Sequence, residues 1–388
     1  MSVDRAVARV NLDAIARNCE RLRSELREGV QLCAVVKADG YGHGMEESAR
    51  AALAGGATWF AVAGIQEARE LADFVEETRP KVPLLIMGPL ERDNLEEVVA
   101  CGFDLVVWSE SHLLDIAWLA ADIGRPGRVH VKLDTGMGRF GTRDAELATR
   151  LAITAAADPN LDRVGLMTHF ATADEPGDDF FAEQVRRFAE WTAPIKRAHP
   201  EVLVHAANSA AVLRDPAAHF DMVRCGIAVY GMDPFGEDPL ARGLEPALRL
   251  SSHVAAVKRC AAGESTGYGR RFVATEATHL GLLPIGYGDG WRRGLSGNAE
   301  ALIAGRRHPL VGTVSMDSVA VDLGPDPSAP ALFGQPAVLI GGQGEERITA
   351  EELARRLGTI NYEITCGLTA RVARVHHGDD GVARLGAD

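Results

Sequence analysis

Eight short apolar runs, separated by longer stretches of helical period, constrain this chain more than any other feature. They are LCAVV at 32–36, WFAVA at 59–63, PLLIM at 83–87, DLVVW at 104–108, RVHVKL at 128–133, RVGLMTHF at 163–170, VLVHAAN at 202–208 and MVRCGIAVYG at 222–231. Each is apolar enough to be covered on both faces, as strands of a parallel sheet are. Between them, Leu12, Ile15, Ala16, Cys19, Leu22 and Leu26, or Phe181, Val185, Phe188 and Ile195, recur at the spacings that share one helical face. Eight such repeats fit an α/β fold with an N-terminal (β/α)8 TIM-type barrel better than a doubly wound sheet, which stands as the alternative.

After residue 236 the texture changes. SSHVAAVKRC, THLGLLPIGYG, AEALIAG, HPLVGTVSMDSVAVDLG and PAVLIGG are short strand-like pieces broken by glycine and proline, the pattern of a mainly-β C-terminal domain. One helix is expected at 349–358, with Thr349 as N-cap and Glu352 completing a capping box. The expected domains are 1–235 and 236–388, divided near DPFGEDP at 233–239.

Charge narrows the partner. Against 41 basic residues stand 54 acidic ones, a net charge of −13 with no basic run, which speaks against nucleic acid or an anionic membrane and for a small molecule. The six cysteines form no C-x-x-C pair and read as reduced and mostly buried. No H-E-x-x-H or Cys/His ligand spacing appears, so no metal is expected, and Gly286 to Gly290 lacks the context of a dinucleotide loop. MSVDRAVARVNLDA has no signal-peptide core and no apolar run is long enough to cross a bilayer, so the expected location is the cytoplasm.

In a barrel the reactive groups come from the carboxyl ends of the strands. Those ends carry Lys37 and Tyr41, residues 134–139, His169, Asn208 and Ser209, and the stretch from Arg224 to Ile227. Lys37 either marks its strand's exit into solvent or is an amine held partly out of water beside a glycine-rich turn, suited to Schiff-base chemistry. His169 has a core alternative, bonded to backbone. Glycine-flanked amides near the last two strands could cradle a phosphate, which makes a phosphorylated cofactor plausible. The five tyrosines stand in KADGYGHG, VYGMD, STGYGRRF, PIGYGDGW and INYEIT, four of them with glycine close by. An amphipathic tyrosine at a domain edge is the alternative for any one of them, though it explains the set poorly; Tyr268 is followed by Arg270 and Arg271, cations that favour a phenolate, and could act as a base.

Together these segments resemble the alanine racemase family. AVVKADGYGHG resembles its pyridoxal-phosphate lysine signature, and KLDTGMGRFG (132–141), THFATAD (168–174), ANSAA (207–211), VRCGIAVYG (223–231), TGYGRRF (266–272), GYGDGWRR (286–293), VGTVSMD (311–317) and NYEITC (361–366) extend the match over essentially the whole chain. The resemblance implies a pyridoxal 5'-phosphate enzyme that interconverts L- and D-alanine for peptidoglycan, working as a homodimer whose two sites each draw on both subunits.

By resemblance, Lys37 is the cofactor lysine and the base on one substrate face, and Tyr268 from the partner chain is the base on the other. Arg224 matches the arginine facing the pyridine nitrogen. Arg139 and the Met316 amide match the groups on the substrate carboxylate. Tyr41, Asn208, Ser209, Gly226, Ile227 and Tyr362 match the cofactor-binding set, with His169 in the network of the ring arginine or the catalytic tyrosine. Asp174 and Tyr287 match the entry, and Lys132 falls where many members carry a carbamylated lysine, an ordinary ion-paired lysine being the alternative.

Two departures stand out. Thr313 and Ser315 occupy positions where the family commonly has arginine and cysteine, near the entry and the site floor, and Ala373 and His376 replace a more usual proline and tyrosine. Substrate breadth is therefore the open question, with a broader or serine racemase as one alternative and a non-catalytic pyridoxal-phosphate binding protein as another. A related decarboxylase is disfavoured by Arg224, since that chemistry usually places a carboxylate at the ring nitrogen.

Overall fold

The first strand of the chain stands apart from the eight expected ones. β1 (Val7–Asn11) precedes β2 (Gln31–Val35), β3 (Trp59–Val62), β4 (Leu84–Ile86), β5 (Asp104–Val107), β6 (Gly127–Lys132), β7 (Leu161–Met167), β8 (Leu203–His205) and β9 (Met222–Cys225). This is a computed structural model that describes residues 5–78 and 80–379. Residues 1–4 and 380–388, the outer ends of the two expected domains and of the N-terminal stretch read above, lie outside the described residues.

β2 to β9 pair in chain order, all parallel, and β9 returns to β2 to close an eight-stranded barrel. Every residue of β3, β4, β5 and β9 is buried, as strands with the barrel interior on one face and helices on the other require. The amphipathic spacings are helices as expected: Leu12–Ser24 and Phe180–Ala198, the second burying Phe181, Phe188, Trp191 and Ile195.

Among the described residues the remaining strands form one ten-stranded sheet and a two-stranded ribbon, Ser265–Thr266 with Phe272–Val273. β1 belongs to that larger sheet. It pairs antiparallel with Leu248–His253 and parallel with Ala373–His377, so five residues at the start of the chain are laid between strands from its far end. Accordingly one compact unit comprises Ala16–Gly40 with Met45–Val229, and the other the residues up to Ile15, Tyr41–Gly44 and those from Tyr230 on. The helix Ala350–Leu357 has Thr349 as N-cap, accepting from the Glu352 amide at 3.1 Å. The Glu352 carboxylate turns to Arg307 and Arg356 rather than back to the cap, which leaves the capping box half made.

All six cysteines are free thiols; Cys19, Cys33, Cys225 and Cys260 are buried and Cys366 is exposed. Among the described residues no helix is long and apolar enough to cross a membrane.

Candidate active site

Lys37 opens the segment that follows β2, and that segment is not an ordinary turn. Ala38, Asp39, Gly40, Tyr41 and Gly42 all have positive φ, between +51° and +85°, and the Gly40 amide donates to the Val36 carbonyl at 2.9 Å. This is one turn of left-handed helix, which side chains resist because Cβ crowds the next carbonyl. Glycine relieves two of the five positions; Ala38, Asp39 and Tyr41 carry the strain. Two carboxylates hold the turn in place. Glu67 accepts from the Ala38 amide at 2.8 Å and the Ala63 amide at 2.7 Å, and Asp39 accepts from the Met45 amide at 3.0 Å. Asp39-Gly40 was legible as turn chemistry. The strap provided by Glu67, on the helix Ile65–Glu77, was not.

Arg224 on β9 is 3% exposed, and its hydrogen bonds are made by the two terminal nitrogens. Nη1 donates to His205 Nδ1 at 2.9 Å; Nη2 donates to the carbonyls of Thr168 at 2.9 Å and Ala206 at 3.0 Å and to His169 Nδ1 at 3.2 Å. The Nε–H and the second N–H of Nη1 are left for further acceptors. Burial pulls Arg224 down to about 10, so it remains a cation at neutral pH. His169, just beyond β7, is held well below the usual imidazole range by burial and then by the charges of Arg224, Arg139, Lys132 and Lys37. A guanidinium can only donate, so neutral His169 accepts at Nδ1 and carries its proton on Nε2.

Lys132 closes β6 and is buried. Burial first, then Arg224 and Arg139, push it down to about 8, with Asp134 opposing. The next loop is shaped by Asp134, which accepts from the amides of Gly136 and Gly138 and from Arg143 Nε. Burial would raise Asp134, but those three partners outweigh it and hold it low. Arg139 is exposed on this loop, as is Asp174 on the loop after β7. Lys37, Lys132, Arg139 and Arg224 are thus gathered around His169 at the carboxyl end of the barrel, a concentration of positive charge that fits an anionic ligand.

At the last two strands Ser209 Oγ accepts from the amides of Gly226 at 3.1 Å and Ala228 at 3.3 Å, which draws the β9 exit, with Ile227, against the helix Ser209–Arg214. Asn208 caps that helix, accepting from the Ala211 amide at 3.0 Å. Its side-chain oxygen therefore has a structural task.

The other expected residues lie in the second unit. Tyr41 packs between Tyr230 and Tyr362, with ring centroids 5.1 and 6.0 Å away. Tyr268 sits between Gly267 and Gly269, both at positive φ, and is 73% exposed. Arg270 Nε donates to Ser265 Oγ. Thr313, expected near the entry, is buried behind this turn and donates to the Tyr268 carbonyl at 2.7 Å. Tyr287 and Met316 are exposed on adjoining segments, joined by Tyr287 N–H to the Ser315 carbonyl and Gly288 N–H to the Met316 carbonyl. Buried Asp289 accepts from the Gly286 amide and pairs with Arg371, which also reaches Asp317.

The family model for the N-terminal domain of alanine racemase matches residues 10–234, and that for its C-terminal domain matches residues 247–376. This chain belongs to the alanine racemase family. It is accordingly a racemase, an isomerase by class. Alanine racemase from Thermobifida fusca is 40% identical over 378 residues, covering 96% of this chain and 98% of the relative, and alanine racemase 1 of Bacillus subtilis is 38% identical over 374 residues, covering 95% and 92%. Alanine racemase from Streptomyces coelicolor A3(2) superposes with a TM-score of 0.90 at 38% identity, over 96% of this chain and 97% of that one. The Bartonella henselae enzyme, solved with covalently bound pyridoxal phosphate, gives 0.85 at 28% identity over 96% and 99%. The comparisons thus bear out the barrel and the β domain expected from the eight runs and the broken strands.

Proposed function

We propose that this chain binds pyridoxal 5'-phosphate covalently at Lys37 and interconverts L- and D-alanine by two-base proton transfer in a cytoplasmic homodimer, supplying D-alanine for peptidoglycan. The observation that carries the reading is Arg224, a buried cation whose Nε–H makes no hydrogen bond, at the end of the barrel that also presents Lys37. That donor suits an unprotonated ring nitrogen. The cation cluster suits a phosphate and a carboxylate.

When bound, the cofactor supplies an electron sink that makes the amino acid's α-hydrogen acidic. Arg224 keeps the ring nitrogen unprotonated, which moderates that sink and disfavours transamination and decarboxylation. Lys37 Nζ takes or returns the α-proton on one face, and Tyr268 of the partner subunit does so on the other. Inversion requires both. Arg139 and the backbone amide of the partner subunit's Met316 hold the substrate carboxylate. Tyr41, Ser209, Gly226, Ile227 and Tyr362 hold the phosphate, Asn208 orienting Ser209 as its helix cap. His169, with its proton on Nε2, offers a donor to the phenolic oxygen of the partner subunit's Tyr268. Asp174 and the partner subunit's Tyr287 line the way in.

Lys132 fits carbamylation. An amine drawn down to about 8 is roughly one-tenth neutral at pH 7, and the neutral form attacks carbon dioxide to give a carbamate and a released proton. The product is an anion that pairs with Arg139.

Chiral analysis of L-alanine and, separately, L-serine incubated with cofactor-loaded protein in deuterated water tests the reading. The expected result is α-deuterated D-alanine. Conversion of both substrates favours the broader racemase, whose motive is the exchange of arginine for Thr313. Bound cofactor with no deuterium exchange overturns catalysis and leaves a cofactor-binding protein.

A further inference from the structure

The barrel interior holds a line of polar residues that no step above uses. Asp104 begins β5, His130 lies within β6 and His205 ends β8, and all three are completely buried. His130 Nε2 is 3.1 Å from Asp104 Oδ1, His130 Nδ1 is 2.8 Å from His205 Nε2, and His205 Nδ1 is 2.9 Å from Arg224 Nη1. The line starts at the arginine and crosses the core.

Its proton positions follow from chemistry. Arg224 can only donate, so His205 Nδ1 accepts and its proton resides on Nε2. That N–H faces His130 Nδ1, which must accept, and the His130 proton then resides on Nε2, facing a carboxylate that accepts it. Every N–H points from Arg224 toward Asp104, and no other neutral arrangement satisfies all three contacts. Burial, then the charge of Arg224, holds His205 well below the usual imidazole range. Asp104 is braced at its other oxygen by Arg128 Nε at 3.2 Å.

The backbone is shaped for the line. β6 and β8 are not neighbours; β7 runs between them, and the residue that the line must pass is Gly165. A Cβ at Gly165 would stand 2.3 Å from His130 Nδ1 and 3.1 Å from His205 Nε2. The β6–β7 register also shifts between Val129 and His130, the kind of irregularity that re-aims a side chain. A barrel layer is ordinarily filled by branched apolar residues, and a buried polar chain is costly unless every member is satisfied.

We propose that Asp104, His130 and His205 are positioning residues, a one-way hydrogen-bond relay that fixes the plane of Arg224 and presents a lone pair to its cation. With Nη1 tethered by the relay and Nη2 by Thr168, Ala206 and His169, the guanidinium plane is fixed and its Nε–H is a donor free for the cofactor ring; this last consequence rests on the function proposed above. A histidine in the opposite tautomer would turn an N–H against the guanidinium and loosen it.

Nitrogen-15 NMR of histidine-labelled holoenzyme tests the relay directly. At pH 8 both His130 and His205 are expected as Nε2–H tautomers, and His205 is expected to stay so from pH 6 to 9; titration of His205 in that range, or an Nδ1–H tautomer of either ring, overturns the proposal. The second measurement uses His130→Leu, which breaks the line without touching Arg224, and His130→Gln, whose amide can accept and donate at the same two ends. The leucine variant is expected to bind cofactor, to shift the nitrogen-15 resonance of labelled cofactor at its ring nitrogen, and to favour pyruvate formation over racemisation by about tenfold. The glutamine variant should lie within about threefold of wild type. A leucine variant with an unchanged ring-nitrogen resonance and unchanged partition reduces the line to core filling. Should the wild type bind no pyridoxal phosphate, the functional reading falls, while the tautomers still decide the relay. Should the leucine variant not fold, the wild-type tautomers decide it as well.

Discussion

Replacing Glu67 by alanine should detach the cofactor lysine from its place without unfolding the barrel. Three non-glycine residues of the turn after Lys37, Ala38, Asp39 and Tyr41, sit at φ +54°, +51° and +54°. At about 1–2 kcal/mol each, their strain totals about 3–6 kcal/mol. Glu67 opposes it with two charge-assisted hydrogen bonds of 2.8 and 2.7 Å. Both lie where solvent reaches, so the lower end of the range applies, about 1.5 kcal/mol each and about 3 together. Strain and strap are therefore of one size. Without the strap the turn relaxes and recovers much of its strain, so global stability falls by only about 1 kcal/mol. Holding Lys37 for the cofactor then requires rebuilding the turn at the expense of the about 2 kcal/mol recovered, a loss of affinity of about thirtyfold. Glu67→Gln keeps one acceptor and should lose about half of that. Titration of apoprotein with pyridoxal phosphate, followed by borohydride trapping and mass analysis of the Lys37 peptide, measures the effect beside a urea unfolding curve. Unchanged affinity in Glu67→Ala would refute the reasoning, as would a loss of stability as large as the loss of affinity.

Three further outcomes are expected. Lys37→Ala should abolish borohydride trapping, whereas Tyr268→Phe should bind cofactor normally and lose racemisation by at least about a hundredfold; a racemising phenylalanine variant counts against the two-base assignment. With carbon dioxide excluded, Lys132 binds its proton more weakly in the folded chain, near 8, than in the unfolded chain, near 10.5. The unfolded state thus holds more protons between those values, and stability should rise with pH from 8 to 10.5 by up to about 3 kcal/mol, a rise absent from urea curves of Lys132→Met. Thr313→Val removes the 2.7 Å bond to the Tyr268 carbonyl, about 1 kcal/mol, and should lower kcat about fivefold with cofactor affinity unchanged; an unaltered kcat would show that the glycines alone hold the turn.

The barrel was legible because each of its strands is a contiguous apolar run, and contiguity survives in a string of letters. β1 was not, because nothing local marks VARVN as the partner of strands more than two hundred residues away. Lys37, His169 and Arg224 stand at strand ends, where the runs themselves point, whereas Lys132 is singled out only by resemblance. Glu67 was hidden because a carboxylate in the first turn of a helix looks like ordinary dipole compensation. Asp104, His130 and His205 were hidden inside the runs themselves, where DLVVW, RVHVKL and VLVHAAN count as strand and their polar letters pass as tolerated exceptions. Two histidines inside mostly buried runs were the available signal. Thr313 was placed near the entry by analogy, and its burial behind Tyr268 depends on a turn that only the folded backbone displays.

Gly165 has a consequence for how sequences of this fold can drift. Its missing side chain is a window through one stave of the barrel, and two imidazoles from the staves on either side meet in it. A mutation that closes the window strands both rings at once, and a mutation of either ring leaves an empty slot that a larger residue at 165 could fill. Positions 130, 165 and 205 should therefore vary as a group, moving together between a polar and a greasy version of the same layer and leaving few viable sequences in between.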